Sequence, residues 1–174
     1  MNKQYLFSII IPTYNRPERL KACLNSLSCL DYPPDRFEVI IVDDGSSMSL
    51  AEIVAPFQRK FAIELIHQAN SGPATARNRG SECASGRFIA FTDDDCQPDP
   101  NWLTALAQGF TAFPDALLGG HTVNQLSDNI YSVASQLLLD YIYSYYNTVP
   151  DRAKFFASNN FALAATQFDA PFRK

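Results

Sequence analysis

The chain has 174 residues, of which 47% are hydrophobic, so it is long enough to bury one substantial core. It carries 14 lysine and arginine residues against 18 aspartate and glutamate residues, a net charge of −4, which argues against a nucleic-acid-binding protein. We expect no secretory signal, and no apolar run approaches the roughly 20 residues that a membrane-spanning helix needs.

The first half of the chain alternates short apolar runs with segments of helical periodicity. Near-continuous apolar strands joined by helices predict a parallel sheet with both faces covered, and hence an α/β fold. Ser49 and Glu52 have the spacing of a capping box at the start of the second helix. In chain order we predict a strand at 7–11, a helix from Pro17 to Leu27, a strand at 37–42, a helix at 50–57, a strand at 63–66, a helix at 73–84 and a strand at 88–91.

The second half of the chain has a looser pattern. We predict a helix at 102–113, a strand at 117–122, a long helix at 131–146 and a strand at 160–164. The four cysteines form no closely spaced pair and are expected to be reduced thiols in or near the core. This favours a cytoplasmic protein, with peripheral association at the inner face of the membrane as an alternative.

Polar residues collect where three of the predicted strands end. They are Thr13 to Arg16 after the first strand, Asp43 and Asp44 after the second, and Asp93 to Asp95 after the fourth. Because parallel strands end at the same edge of a sheet, and ligands bind at that edge, we expect the three clusters to meet there.

Each cluster also has a structural interpretation. The first could be only a loop and a helix start, and the second only a turn whose side chains cap a helix. Three adjacent carboxylates repel one another, so a divalent cation shared with substrate phosphates is the simpler explanation for Asp93 to Asp95. Arg77 follows the helix start at Gly72, where an anion would be favoured, although it could instead lie on a solvated face with Arg79. His67 and His121 are interpreted as structural.

Together these segments resemble the family 2 inverting glycosyltransferases of the GT-A fold. The matching segments are SIIIPTYN (8–15), VDDGS (42–46), GPATARNRG (72–80) and FTDDD (91–95). A weaker match, SNNFAL (158–163) followed by Phe168 and Asp169, resembles the acceptor-side segment of the family.

The resemblance implies a role for each matching position. Tyr14 would flank the nucleobase, Asp43 or preferably Asp44 would accept a hydrogen bond from the base, and Arg77 would lie by the base or diphosphate. The donor is expected to be a nucleoside-diphosphate sugar, most commonly a UDP-sugar, and the acceptor a hydroxyl group. The implied nucleotide-sugar-binding residues are Pro12, Thr13, Tyr14, Asn15, Arg16, Asp43, Asp44, Gly72, Arg77, Asp93 and Asp94, with Asp95 and Asp93 holding Mn²⁺ or Mg²⁺.

In this family the catalytic base usually comes from a Glu-Asp motif downstream of the segment that matches Phe168 and Asp169. The sequence ends at Lys174 without one, so we expect the base beyond Lys174 and assign no catalytic residue here. We therefore expect one truncated domain that binds donor without efficient transfer, with a donor half (1–100) and the start of an acceptor half (101–174). Asp169 and Asp151 are the alternative bases.

Three other functions remain open on the sequence. A receiver-like signalling domain would also carry paired aspartates and Mg²⁺, but its phospho-acceptor aspartate should end the third strand, where His67 stands. Nucleotidyl transfer would need a first loop rich in glycine and basic residues. A non-catalytic nucleotide- or sugar-binding module would use the same donor-side residues.

Overall fold

The computed structural model of the chain describes residues 6–149, 152–168 and Phe172. Alternating strands and helices occur in the predicted order. They are β1 (Phe7–Thr13), α1 (Pro17–Leu27), β2 (Phe37–Asp43), α2 (Ala51–Val54), β3 (Ala62–His67), α3 (Pro73–Cys83), β4 (Phe88–Phe91), α4 (Trp102–Ala112), β5 (Leu118–Gly119), α5 (Ile130–Tyr146) and β6 (Phe161–Ala164), followed by a 3₁₀ turn (Ala165–Gln167).

The strands form one six-stranded sheet in the order β3-β2-β1-β4-β6-β5. The first four strands are parallel, and β6 is antiparallel to both β4 and β5. The prediction of an α/β fold with a mostly parallel sheet is therefore confirmed. Thr13 lies opposite Asp43 in the register of β1 and β2, so these two strands end level with each other.

Helices cover both faces of the sheet, which explains why the parallel strands are apolar throughout. On one face, Ile9 and Ile11 pack with the buried residues of α1 and α4; on the other, Ile10 packs with Ala76 of α3. All seven residues of β1 are buried. The predicted α1 positions Leu20, Cys23, Leu24 and Leu27 are all buried as well, as their helical spacing requires.

Gly80 lets α3 lie close against the sheet. A Cβ atom at this position would come within 2.6 Å of Ile10 Cγ2 and 3.2 Å of Val42 Cγ2, both on buried side chains. We expect Gly80→Ala to lower the free energy of unfolding by about 1–3 kcal/mol through overpacking, despite the higher helix propensity of alanine.

Chemical denaturation would measure this change. Glu82→Ala, at an exposed position of the same helix, is the control and should change stability by less than about 0.5 kcal/mol. Parent-like stability of Gly80→Ala would show that α3 can move away from β1 and β2 at little cost.

The second helix is shorter than predicted. The expected helix at 50–57 ends at Val54, because Pro56 has no N–H to donate to the carbonyl of Glu52, and the chain continues in turns. The predicted capping box is also wrong, since Ser49 Oγ accepts from Ala51 N at 3.3 Å instead of from Glu52 N.

Two other predictions need correction. The strand expected at 117–122 has only two residues, Leu118 and Gly119, which pair with Ala162 and Phe161 of β6. The cysteines are all free, but Cys29 is exposed, and only Cys23 is buried.

The long helix α5 packs loosely, and none of its residues is buried. Several of its large apolar side chains are exposed, with the Tyr141 and Tyr145 rings stacked at 6.1 Å. The exposed large apolar residues of this helix are Ile130, Tyr131, Leu137, Leu138, Tyr141, Tyr145 and Tyr146. Among the described residues, no helix combines the length and the hydropathy needed to cross a bilayer.

Candidate active site

The three polar clusters meet at one edge of the sheet, as predicted. Thr13 Oγ1, at the end of β1, donates to Asp94 Oδ2 after β4 at 2.7 Å, and this bond is buried. Asp44 N, after β2, donates to Thr13 O at 2.9 Å. The neighbouring positions of β1, β2 and β4 in the sheet therefore bring together residues that are up to 81 positions apart.

The loop after β1 is held against the loop after β2 by Asn15. This residue has a positive φ of 53°, a conformation that asparagine tolerates better than most residues. Its N–H donates to Ser46 Oγ at 2.8 Å, and its Oδ1 accepts from Ser47 N at 2.9 Å. Tyr14, directly before it, is 47% exposed, so its ring stands at the edge of the sheet on an anchored loop. Pro12 lies within β1, in register with Val42.

Asp44 organises the loop that leads into α3. Its Oδ1 accepts from Gln68 Nε2 at 2.7 Å and from Ser71 N at 2.9 Å, and its Oδ2 accepts from Gly72 N at 2.8 Å. Gly72 has a φ of 90°, which glycine adopts without strain. Asp44 thus satisfies backbone donors before α3, whereas the structural interpretation expected it to cap the helix after β2.

Asp43 has a different set of partners. Its Oδ1 accepts from Ser46 N at 2.9 Å, and its Oδ2 lies 3.1 Å from Nδ1 of His67. The Asp43 side chain is only 6% exposed, whereas the His67 side chain beside it is 66% exposed. His67 therefore lies at the same edge of the sheet. Its place at the end of β3 indicated this position, whereas the residue type alone did not.

The three consecutive aspartates face three arginines. Asp93 pairs with Arg77, while Asp95 Oδ2 lies 3.1 Å from Arg19 and 3.5 Å from Arg16. The pairing offsets the repulsion that three adjacent carboxylates would otherwise produce. Arg19 belongs to no matching motif and was not predicted. Its spacing of three residues from Arg16, at the start of a helix, was the available signal.

Asp94 is the buried member of the three. Its side chain is 4% exposed, and besides the Thr13 hydroxyl it has Arg16 Nη1 at 3.4 Å. Burial raises the pKa of Asp94 above its ordinary value, and the Thr13 hydrogen bond and the Arg16 charge oppose part of that rise. Asp94 is therefore placed to position the loop, whereas Asp95, whose side chain is 42% exposed, is the accessible carboxylate.

Arg77 is buried, contrary to the interpretation that it lies on a solvated face. Its side chain is 8% exposed and pairs with Asp93, and its guanidinium lies 5.6 Å from the Phe172 ring centroid. Among the residues that the structure describes, its Nε has no hydrogen-bond partner. An unpaired buried donor is costly, so this guanidinium has spare capacity for a further acceptor. Arg79 is exposed and pairs with Glu82, as expected for a surface arginine.

The carboxylates of this edge fit a cation that takes most of its ligands from a substrate. Within the described residues, no group of three or more His, Cys, Asp and Glu side chains is placed to hold a metal ion. Mg²⁺ is commonly bound through one or two carboxylates together with phosphate oxygens and water. Asp95 supplies one accessible carboxylate, and Asp93 supplies a second that is 29% exposed.

The segment that resembles the acceptor side lies against the aspartate loop. Asn159 Nδ2 donates to Cys96 Sγ at 3.5 Å, and Trp102 Nε1 donates to Asn160 Oδ1 at 3.0 Å. Cys96 directly follows Asp95, so residues of the second half of the chain reach the aspartate loop. Asp151 and Asp169, the alternative bases, lie outside the described residues.

The second histidine makes a separate contact. His121 Nε2 lies 2.8 Å from Asp140 Oδ1, and Gln136 donates to the same oxygen at 2.7 Å. Hydrogen bonds from Gln136 and His121 lower the pKa of Asp140. Asp140 lies on α5, so His121 ties this helix to the loop after β5, consistent with its structural interpretation.

Curated relatives are glycosyltransferases that align with part of this chain. Glycosyltransferase AglE of Haloferax volcanii is 37% identical over 116 residues, which are 66% of this chain and 38% of that protein. Poly(ribitol-phosphate) beta-N-acetylglucosaminyltransferase TarS of Staphylococcus aureus is 36% identical over 91 residues, which are 51% of this chain and 16% of that protein. The chain thus spans well under half the length of these relatives.

Solved structures agree with the fold. Staphylococcus aureus TarS 1–349 in complex with UDP-GlcNAc has a TM-score of 0.61 and 31% identity, covering 68% of this chain and 37% of that one. The mannosyltransferase PcManGT of Pyrobaculum calidifontis, in complex with GDP-Man and Mn²⁺, has a TM-score of 0.71 at 19% identity, covering 94% of this chain and 45% of that one. Both comparisons show the GT-A fold.

The family comparison extends over almost the whole chain. The profile described as Glycosyl transferase family 2 matches residues 8–169, which include all three clusters at the sheet edge and the segment around Asn159. The chain belongs to glycosyl transferase family 2.

Proposed function

We propose that this chain binds a nucleoside-diphosphate sugar, most simply a UDP-sugar, together with Mn²⁺ or Mg²⁺, as the donor-binding part of an inverting hexosyltransferase. The observation that carries the proposal is the meeting of Tyr14, the Asp43-Asp44 loop and the three aspartates at one edge of the sheet. The UDP-GlcNAc complex of TarS, at 31% identity, supports UDP as the nucleotide.

The base-binding end would be formed by the loops after β1 and β2. Tyr14 would flank the base, with Pro12, Thr13 and Asn15 fixing its loop. Asp44 would accept from the base edge through Oδ1. The Gln68 amide is the only side-chain donor to this oxygen among the described residues, and it can rotate away. The backbone bonds from residues 71 and 72 would stay in place and hold the carboxylate still.

The diphosphate end would lie between α3 and the aspartate loop. Gly72 precedes α3, whose backbone N–H groups and dipole favour an anion. Arg77 has an Nε without a hydrogen-bond partner in the described ranges. Arg16 adds a second positive charge beside Asp94 and Asp95. A divalent cation held by Asp95, with Asp93 beside it, would neutralise charge on the departing diphosphate.

The proposed reaction is an in-line displacement at the anomeric carbon. An acceptor hydroxyl oxygen forms the new bond to that carbon, the bond from the carbon to the diphosphate oxygen breaks, and a carboxylate base takes the hydroxyl proton. No base is assigned among the residues described here, and a non-catalytic binding module is the competing function. A measurement of sugar transfer from the donor to an acceptor hydroxyl would decide between them.

A thermal-shift screen tests the proposed donor. UDP, GDP, TDP and CMP would each be added with and without MnCl₂, because a ligand that binds the folded state raises its apparent stability. We expect the largest shift with UDP and Mn²⁺ together. No shift with any of these nucleotides would contradict the proposal.

Tyr14 provides a sharper test of base recognition. We expect Tyr14→Ala to weaken UDP binding by about 1–3 kcal/mol, the range found for base–aromatic stacking. Tyr14→Phe keeps the ring and serves as the control, with affinity close to that of the parent. Calorimetric titration would measure both, and an unchanged affinity in a folded Tyr14→Ala variant would show that the ring only forms part of the loop.

A further inference from the structure

Arg19 is a cation at the aspartate loop that no matching motif explains. It lies in the first turn of α1, and its Nη1 is 3.1 Å from Asp95 Oδ2, closer than Arg16 at 3.5 Å. The other oxygen of this carboxylate, Oδ1, lies 3.9 Å from the Cys96 thiol, its one partner within the described part of the chain. Arg19 is therefore the nearest charged partner of the accessible carboxylate.

The two arginine–aspartate pairs at the ends of this cluster differ in burial. The Arg77 side chain is 8% exposed, so its pair with Asp93 is shielded from water. Arg19 and Asp95 are 57% and 42% exposed, and ion pairs this exposed are weak and easily replaced by water or another ion. A flexible arginine on a helix surface can leave such a pair without disturbing the fold.

We propose that Arg19 is an exchangeable counter-ion that competes with the divalent cation for Asp95 and so sets the affinity for metal. The inference rests on the proposed function, because it takes Asp95 as the metal-binding carboxylate. The guanidinium uses Oδ2 of Asp95, and a single positive charge held beside a doubly charged ion repels it even in water. The ion must therefore displace Arg19 from Asp95 or bind there despite repulsion by the Arg19 charge.

The competition should depend on whether nucleotide is present. A diphosphate brings negative charge to the same place and offsets the repulsion between Arg19 and the metal ion. Arg19 would then lower the affinity for the metal ion alone more than the affinity for the ion with nucleotide present. The ion would therefore bind mainly together with the donor. The residue would thus tune when the ion binds, without contacting the reacting atoms.

Calorimetric titration of MnCl₂ tests this inference, first alone and then with saturating UDP. We expect Arg19→Gln to bind Mn²⁺ alone roughly three- to tenfold more tightly than the parent. With UDP present, the difference in Mn²⁺ affinity between the variant and the parent should be smaller. Arg19→Lys keeps the charge and should stay within about twofold of the parent. Arg59→Gln removes the same charge from an exposed residue before β3, at the opposite edge of the sheet, and should change nothing.

Two results would overturn the inference: equal or weaker Mn²⁺ binding by Arg19→Gln, or equal tightening by Arg19→Lys. Failure of the proposed function has a different signature. In that case UDP with Mn²⁺ would not bind the parent, or Asp95→Asn would bind the ion as well as the parent does.

Discussion

Asp95→Ala is expected to remove the gain in UDP affinity that Mn²⁺ provides. Asp95 is the most accessible carboxylate of the aspartate loop, and its partners are exposed arginines that do not depend on it for burial. Loss of residues that merely support a metal ligand costs about 10–100-fold in affinity or activity, so loss of the ligand itself should cost roughly 100-fold or more. Calorimetric titration of UDP with and without MnCl₂ would measure the effect.

The control for this variant is Asp128→Ala, which removes the same charge from an exposed loop before α5. It should bind UDP and Mn²⁺ as the parent does. The fold of Asp95→Ala should be intact, because surface substitutions usually change stability by less than about 0.5 kcal/mol. Parent-like affinity of Asp95→Ala with Mn²⁺ present would contradict the metal assignment and direct attention to Asp93.

Asp44→Asn is expected to lower the free energy of unfolding by about 2–4 kcal/mol and to weaken UDP binding as well. Both oxygens of Asp44 accept from N–H groups, so whichever way an asparagine is turned, its own NH₂ would face a donor. Each buried donor left unpaired costs about 1–3 kcal/mol. The loop before α3 would lose the contacts that hold it beside β2.

Denaturation and UDP titration of the same variant would measure the two effects. Glu52→Ala, an exposed acidic residue on the neighbouring helix, is the control and should match the parent in both. A variant with parent-like stability but weakened UDP binding would show that Asp44 acts mainly on the nucleotide. Parent-like behaviour in both measurements would remove Asp44 from the site.

The order and type of the elements followed from the sequence because burial on two faces leaves a simple pattern. The strands around Ile10, Ile40 and Ala90 are nearly all apolar, and the helices between them show helical spacing. Once the strands were taken as parallel, the meeting of their polar ends at one edge followed from topology. One local exception was the short α2, where Pro56 outweighed an apolar pattern that favoured a longer helix.

The partners of the site residues did not follow from the sequence. Asp43 and Asp44 are adjacent and of the same type, yet one contacts His67 and the other the backbone before α3. That division depends on the path of two loops, which the positive φ angles of Asn15 and Gly72 help to set.

The sequence by itself therefore determined the α/β class, the family and the edge at which the polar clusters meet. Only the tertiary structure decided that Asp94 is buried against Thr13, that Arg77 pairs with Asp93, and that Arg19 pairs with Asp95. The physical reason is that hydrophobic patterning indicates which face of an element is buried, and this pattern can be read from residues that are close in the sequence. Charge pairing and hydrogen bonding join side chains 16 to 81 positions apart and depend on loop conformations that no local pattern encodes.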